Sequence, residues 1–296
     1  MPRARLEDFM LPTGVKAHLY RLLHDKGPGN GTLMVLPIDQ GLEHGPRDFF
    51  PNPPSKDPEY QFRLADEGRF SAIACHIGLA EKHLNAWAGK VPLILKLNGK
   101  TEIPSDARAL SPQTAFVEDA LRLGADAVGY TLYVGSPAQE DDFVQFAAIR
   151  EEAHRYGLPV VVWSYPRGEA IAQKGGKDSF YAVDYAARVA SELGADVVKL
   201  NIPKVDSHLL QSAPTPYSDL SISLKDAVEA VIASAGRSLV IFAGGEKGGR
   251  ETMLEKARLV MEAGATGVIF GRNLWQRPWE EGVALAKEVR ALLKDY

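Results

Sequence analysis

The chain has 296 residues, with 34 Lys and Arg against 38 Asp and Glu, a formal charge of −4. Hydrophobic residues make up 45% and charged residues 24%, an ordinary globular composition that excludes disorder, which needs few apolar residues and a large net charge. No long basic run supports nucleic-acid binding, and no run of 18 apolar residues is present to span a membrane. Cys75 is the single cysteine, so no intrachain disulfide can form. Its place in the apolar run Ser71-Ala-Ile-Ala-Cys-His76 reads as packing rather than as a nucleophile. The first ten residues hold no apolar core of signal-peptide length, which makes the cytoplasm the expected compartment.

A repeat organises the chain. Leu123-Gly-Ala-Asp-Ala-Val-Gly-Tyr130, Leu193-Gly-Ala-Asp-Val-Val-Lys-Leu200 and Ala263-Gly-Ala-Thr-Gly-Val-Ile-Phe270 each run from a Gly-Ala turn into an apolar stretch. Their glycines, Gly124, Gly194 and Gly264, are evenly spaced at 70 residues. Amphipathic stretches at 113–123 and 181–193 precede the first two copies, so the glycine fits the left-handed residue that ends a helix. The apolar run fits a strand covered on both faces. Seventy residues suits two strand–helix units of about 35 each. In chain order the predicted strands are 33–39, 71–76, 93–98, 127–133, 159–165, 197–202, 238–245 and 266–272. Eight alternating units in one chain of this length predict an α/β TIM barrel over 31–296, preceded by an N-terminal extension over 1–30. A doubly wound open sheet is the competing arrangement.

A TIM barrel places its site at the C-terminal strand ends. Polar residues gather at those ends here. Asp39 and then Glu43 and His44 follow the first predicted strand, and Lys96 and Asn98 share a face of the third. Trp163 and Tyr165 share a face of the fifth, and Val197, Lys199 and Asn201 share a face of the sixth. An ammonium among Val197, Val198, Leu200 and Ile202 is costly unless paired or functional. Desolvation would lower its pKa and allow a Schiff base with a carbonyl. An interior ion pair is the alternative for Lys199, and Lys96 is its rival for the same chemistry. Tyr165 on the neighbouring strand is placed to move protons, and Trp163 to exclude water. Asp39 can pair with lysine, orient hydroxyls or simply form a turn. Ala243, Gly244 and Gly245 after the seventh strand, with Gly271 and Arg272 after the eighth, stand where this fold often binds phosphate. Arg167, Lys174, Lys177, Lys247 and Arg250 are candidates for a second anion. The seven histidines are scattered without metal-ligand spacing, so no metal or other cofactor is expected.

Leu36-Pro-Ile-Asp-Gln-Gly-Leu-Glu-His44, Ile94-Leu-Lys-Leu-Asn98, Trp163-Ser-Tyr-Pro-Arg167, Gly194-Ala-Asp-Val-Val-Lys199, Ala243-Gly-Gly245 and Gly267-Val-Ile-Phe-Gly-Arg272 occur in this order. As a set they resemble the bacterial and archaeal type of class I fructose-1,6-bisphosphate aldolase, from about residue 31 to the C-terminus. The resemblance implies a metal-free Schiff-base enzyme. It would cleave fructose 1,6-bisphosphate to dihydroxyacetone phosphate and glyceraldehyde 3-phosphate, reversibly. It assigns Lys199 as the Schiff-base lysine, Tyr165 as proton donor and acceptor, and Asp39 as the aspartate after strand 1. Trp163 joins the substrate site, and Gly244, Gly245, Gly271 and Arg272 the phosphate site. Gln40, His44, Arg167 and Ala243 complete the substrate-binding set. Ala243 stands where a serine is frequent, so one side-chain phosphate contact is in doubt. The resemblance further implies a homo-oligomer, often a decamer of stacked pentamers, a phosphorylated sugar as partner, and neither nucleic acid nor membrane. Two alternatives stay open: a related lysine-dependent aldolase or transaldolase-like synthase, and a non-catalytic phosphosugar-binding barrel.

Overall fold

The repeat glycines terminate helices in the left-handed conformation, with φ of +65° at Gly124, +96° at Gly194 and +97° at Gly264. Each turn hands the chain to a strand. The structure, a computed structural model, describes residues 3–245 and 248–296. Its eight strands are β1 (Leu33–Pro37), β2 (Ala72–His76), β3 (Leu93–Lys96), β4 (Ala127–Val134), β5 (Val160–Pro166), β6 (Val197–Leu200), β7 (Leu239–Ala243) and β8 (Gly267–Ile269). They form a closed parallel barrel in sequence order, with β1 paired to β8, which is the TIM architecture rather than the open sheet.

Alternation along the strands separates two cores. Ile73, Cys75, Val128, Val160, Val162, Val198 and Val240 face outward, where they join the helices in one large cluster. The helix Phe180–Glu192 shows how the sequence builds that layer. Phe180, Val183, Ala186, Ala187 and Ala190 are buried at helical spacing, and the Ser179 hydroxyl caps the helix by accepting from the Ala182 N–H at 3.3 Å. Inside the ring, Leu33, Val35, Ala72, Ala74, Ile94, Ala127, Val161, Trp163, Val197, Leu239, Ile241 and Ile269 form a second cluster. Leu6, Phe9, Val15, Leu19, Leu22 and Leu23 of the N-terminal segment belong to the same cluster, so the segment plugs the floor of the barrel and shuts water out from below. No helix among the described residues is long and apolar enough to cross a membrane.

Several predicted strands stop early. β1, β3, β6, β7 and β8 end at Pro37, Lys96, Leu200, Ala243 and Ile269, leaving Asp39, Asn98, Asn201 and Gly245 beyond the strands and Arg272 at the start of the short helix Arg272–Trp275. Asp39 already has helical dihedrals, φ −78° and ψ −7°, as it caps the short helix Gln40–His44. Asn98 continues the ladder with its side chain: its amide donates to the Thr131 carbonyl at 2.8 Å and accepts from the Thr131 N–H at 2.7 Å. The amphipathic stretch at 113–123 becomes helical only over Val117–Arg122, because the backbone of Gln113 forms an isolated bridge with Asn98 and that of Thr114 bonds Leu97. Cys75 is fully buried on the outer face of β2, and burial pushes its thiol pKa up, as expected of packing material.

Ring closure depends on a residue without a side chain. A Cβ at Gly267 would lie 1.9 Å from the Leu33 carbonyl oxygen, on the strand that β8 must pair with. We expect Gly267→Ala to lower unfolding stability by about 3 kcal/mol or more, measured by urea denaturation; a loss below ~1 kcal/mol would show that the β1–β8 seam can relax.

Candidate active site

The β5–β6 register puts Val161 level with Val197 and Trp163 level with Lys199. Tyr165 therefore stands one inward position above Lys199 on the adjacent strand, and its hydroxyl accepts a hydrogen bond from Lys199 Nζ. Lys199 is 6% exposed, and none of the ion pairs among the described residues includes it. Burial, helped by the charges of Lys96 and Arg272 and opposed by Asp39 and Glu43, lowers its pKa to about 7. A large fraction of this amine is thus neutral near pH 7, which a nucleophile requires.

Lys96, its sequence rival, is deeper and differently held. It is 1% exposed, donates to Thr131 Oγ1 at 2.6 Å and stands 3.9 Å from Asp39 Oδ2. Burial, countered by Asp39 and Glu43, lowers its pKa only to about 8. The two lysines share Trp163: Lys96 Nζ lies 3.9 Å and Lys199 Nζ 5.8 Å from the ring centroid. Gly129 makes the room, since a Cβ there would come within 2.8 Å of Lys96 Cδ and 3.0 Å of Trp163 Cζ3. Asp39 thus reaches this group through Lys96.

The strand-7 and strand-8 ends also meet. Asn273 ties the two loops, its Oδ1 accepting from the Gly248 N–H at 2.8 Å and its Nδ2 donating to the Gly245 carbonyl at 3.3 Å. Gly271 sits against β1 and Gln40: a Cβ there would lie 2.6 Å from the Pro37 carbonyl oxygen and 3.0 Å from Gln40 Nε2. Gln40 Oε1 is buried with no hydrogen-bond partner among the described residues. Gly244 is likewise crowded, 2.8 Å from Met253 Cε by the same measure. Close packing therefore accounts for Gly244 and Gly271 independently of any ligand, while Gly245, at φ +70°, is exposed at the surface. Ala243 is partly buried at the end of β7.

Arg272 is one-third exposed, 3.8 Å from Asp48 Oδ2, and the same carboxylate oxygen holds His44 Nδ1 at 2.8 Å. Asp48 had no signal in the sequence, because it lies in a variable-looking Pro-rich loop and is 8% exposed only through tertiary packing. Thr131, Gly129 and Asp106 were equally silent. Arg167 follows β5 and pairs with Asp106. Lys174 donates to the Ala170 carbonyl, and Arg250 pairs with Glu288, so neither joins the group; Lys247 lies outside the described residues. A cavity of about 330 Å³ opens outside the strand ring, lined by Ile38, Leu42, Phe49, His76 and Leu79 among others, and neither Lys96 nor Lys199 lines it.

Residues 33–277 match the pattern of the DeoC/LacD family aldolases. The chain is 41% identical over 248 residues to the class 1 fructose-bisphosphate aldolase of Thermoproteus tenax, covering 83% of this chain and 84% of that one. A solved archaeal fructose-1,6-bisphosphate aldolase, with its catalytic Lys covalently bound to the carbinolamine intermediate of the substrate, is similar at a TM-score of 0.79 and 36% identity, over 93% of this chain and 99% of that chain. The fructose-bisphosphate aldolase of Slackia heliotrinireducens is similar at a TM-score of 0.86 and 28% identity, over 100% of this chain and 93% of that chain. Fold, strand-end chemistry and overall likeness thus converge, and the chain belongs to the DeoC/LacD family of aldolases, alongside the class 1 fructose-bisphosphate enzymes.

Proposed function

We propose that this protein is a class I aldolase, cleaving fructose 1,6-bisphosphate reversibly to dihydroxyacetone phosphate and glyceraldehyde 3-phosphate, with Lys199 as the imine-forming residue. The observation that carries the reading is Lys199 itself: a desolvated amine without a carboxylate partner among the described residues, in contact with a phenol. Lys96 is the poorer nucleophile because Thr131 and Asp39 already engage it. A non-catalytic binder would have no use for a lysine kept near neutrality, and family membership and the relatives' names speak for the bisphosphate enzyme over a transaldolase-like one.

Each step has a residue in reach. Neutral Lys199 Nζ adds to the C2 carbonyl of the open-chain sugar, giving a carbinolamine. The Tyr165 hydroxyl donates the proton with which the carbinolamine oxygen leaves as water, and an iminium remains. Tyr165, now a phenolate, takes the C4 hydroxyl proton as the C3–C4 bond breaks. The bonding pair moves into the iminium, which becomes an enamine, and glyceraldehyde 3-phosphate departs. Protonation at C3 and hydrolysis then release dihydroxyacetone phosphate and restore the lysine. Trp163 walls the reacting carbons from water, while Asp39, fixed by Lys96, faces the substrate hydroxyls. Ala243, Gly244, Gly245, Gly271 and Arg272 hold one phosphate, with Gln40 and His44 beside them, and Arg167 takes the other across the mouth.

In this reading residues 31–296 are the catalytic barrel and 1–30 the extension, whose Leu6, Phe9, Val15, Leu19, Leu22 and Leu23 plug its floor. The cytoplasm remains the compartment we expect, and a homo-oligomer, up to a decamer, is supported by the family resemblance alone.

With dihydroxyacetone phosphate and borohydride, mass spectrometry should find the reduced adduct on Lys199; an adduct on Lys96, or none, would overturn the assignment. Tyr165→Phe should still be trapped, but more slowly because water must supply the proton for dehydration, and should lose about 100-fold or more in cleavage; undiminished turnover would remove Tyr165 from the mechanism. The lowered pKa of Lys199 sets a sign for pH. Below about pH 7 the amine is protonated, so the trapping rate at low ketose should rise about tenfold per pH unit and level off above pH 7. A rate still climbing at pH 9 would mean an ordinary lysine.

A further inference from the structure

At the rim of the barrel mouth two partly buried cations converge on one carboxylate. Lys100, in the loop after β3, places Nζ 2.7 Å from Asp106 Oδ1. Arg167, just after β5, places Nε 3.0 Å from Asp106 Oδ2. Exposure is uneven: the Lys100 and Arg167 side chains are each 12% exposed, whereas that of Asp106 is 47% exposed. The cations are anchored from beneath, lying 5.9 and 5.8 Å from the centroid of the buried Tyr133 ring. Arg167 also lies 5.2 Å from the Tyr165 ring centroid, which ties the cluster to the reacting centre.

The carboxylate is held less firmly than the cations. Asp106 begins the single short turn Asp106–Arg108 of a largely exposed loop. On one side that loop is fastened by the exposed pair Arg108–Asp141 at 3.2 Å, on the other by Arg47–Glu102 at 2.6 Å. Exposed pairs of this kind contribute little to stability. Burial disfavours the Asp106 anion, yet Lys100 and Arg167 outweigh it and hold the carboxyl below its usual range, so it is charged at neutral pH. One carboxylate against two cations leaves a positive charge over. A dianionic phosphate balances both and offers more acceptor oxygens in the same place.

The position suits that role. β3 and β5 flank β4, which stands opposite β8 in the eight-stranded ring, so the cluster lies across the mouth from the β7–β8 phosphate end. We infer that Asp106 is an intramolecular stand-in for the distal phosphate of the substrate, a specificity-determining residue that occupies the Lys100–Arg167 pair until a phosphate displaces it. The inference rests on the bisphosphate-aldolase reading above. Its effect is discrimination: an anion that cannot outcompete a tethered carboxylate does not enter, and part of the phosphate's binding energy goes into moving Asp106 aside.

Two ligands separate this role from a structural one. Fructose 1,6-bisphosphate needs the distal site, whereas dihydroxyacetone phosphate carries one phosphate and is trapped by borohydride without it. In Asp106→Asn the KM for the bisphosphate should fall about two- to fivefold, the range expected of an exposed-to-half-buried ion pair, with the change on KM rather than kcat. The dihydroxyacetone phosphate concentration giving half-maximal trapping should not move. Lys100→Met should raise the bisphosphate KM and also leave trapping in place. A bisphosphate KM that rises or stays level in Asp106→Asn, or a shift shared by both ligands, would overturn the stand-in role while leaving the aldolase reading intact. A wild-type protein that neither cleaves the bisphosphate nor traps the triose would sink that reading, and the stand-in role with it.

Discussion

An amine without a carboxylate partner among the described residues, in a barrel closed from the outside and from below, is the constraint on which the rest of this structure depends. Lys199 would be an ordinary surface cation if the outside and the floor of the barrel were open to water as well as its mouth. The helices cover the strands outside, the N-terminal segment fills the floor with Leu6, Phe9, Leu19 and Leu23, and Trp163 covers the flank. Each of these layers withholds solvation from the ammonium form. The stability given up there is the ordinary cost of a reactive group held in an apolar setting.

Two lysines on the inner wall would compete if their surroundings were alike, and they are not. Lys96 has a hydroxyl, a carboxylate at 3.9 Å and the nearer side of the Trp163 ring, whereas Lys199 has the ring at longer range and a phenol. The first arrangement fixes a charge and the second leaves a lone pair free for part of the time. Lys96 also adds a positive charge that disfavours protonation of Lys199. The small strand residue Gly129 lets both side chains and the indole fit one cross-section of the barrel.

The rim of the mouth repeats one device at opposite ends. Arg272 lies near Asp48, which also holds His44, and Arg167 shares Asp106 with Lys100. In each case a carboxylate keeps a cation in place. The two differ in burial: Asp48 is closed in at 8% exposure, and Asp106 is on an exposed loop. The first holds its partners in a fixed arrangement, and the second is free to give way.

Much of this protein is written locally and was legible in the sequence. Strand alternation and helix-ending glycines repeat at fixed spacing, so the eight units, the barrel and the inward facing of Trp163, Tyr165 and Lys199 followed from the order of residues alone. Such features depend on neighbours a few positions away. The choice between Lys96 and Lys199 did not follow, because it turns on Asp39 after β1 and on Thr131 and Gly129 of β4, all far from Lys199 in the chain. The ends of the strands were also overextended, since Asp39 is drawn into a helical turn and Asn98 replaces backbone pairing with its side chain. Asp48 and Asp106 carried no pattern at all: both lie in single short turns outside the strand–helix repeat, and the partners Arg272, Lys100 and Arg167 reach them only through the tertiary fold. The sequence by itself determined which residues stand at the strand ends, because periodicity is a local property. Which of them are paired, which are free and which are dry was decided by the tertiary structure, because charge and solvation depend on groups far apart in the chain.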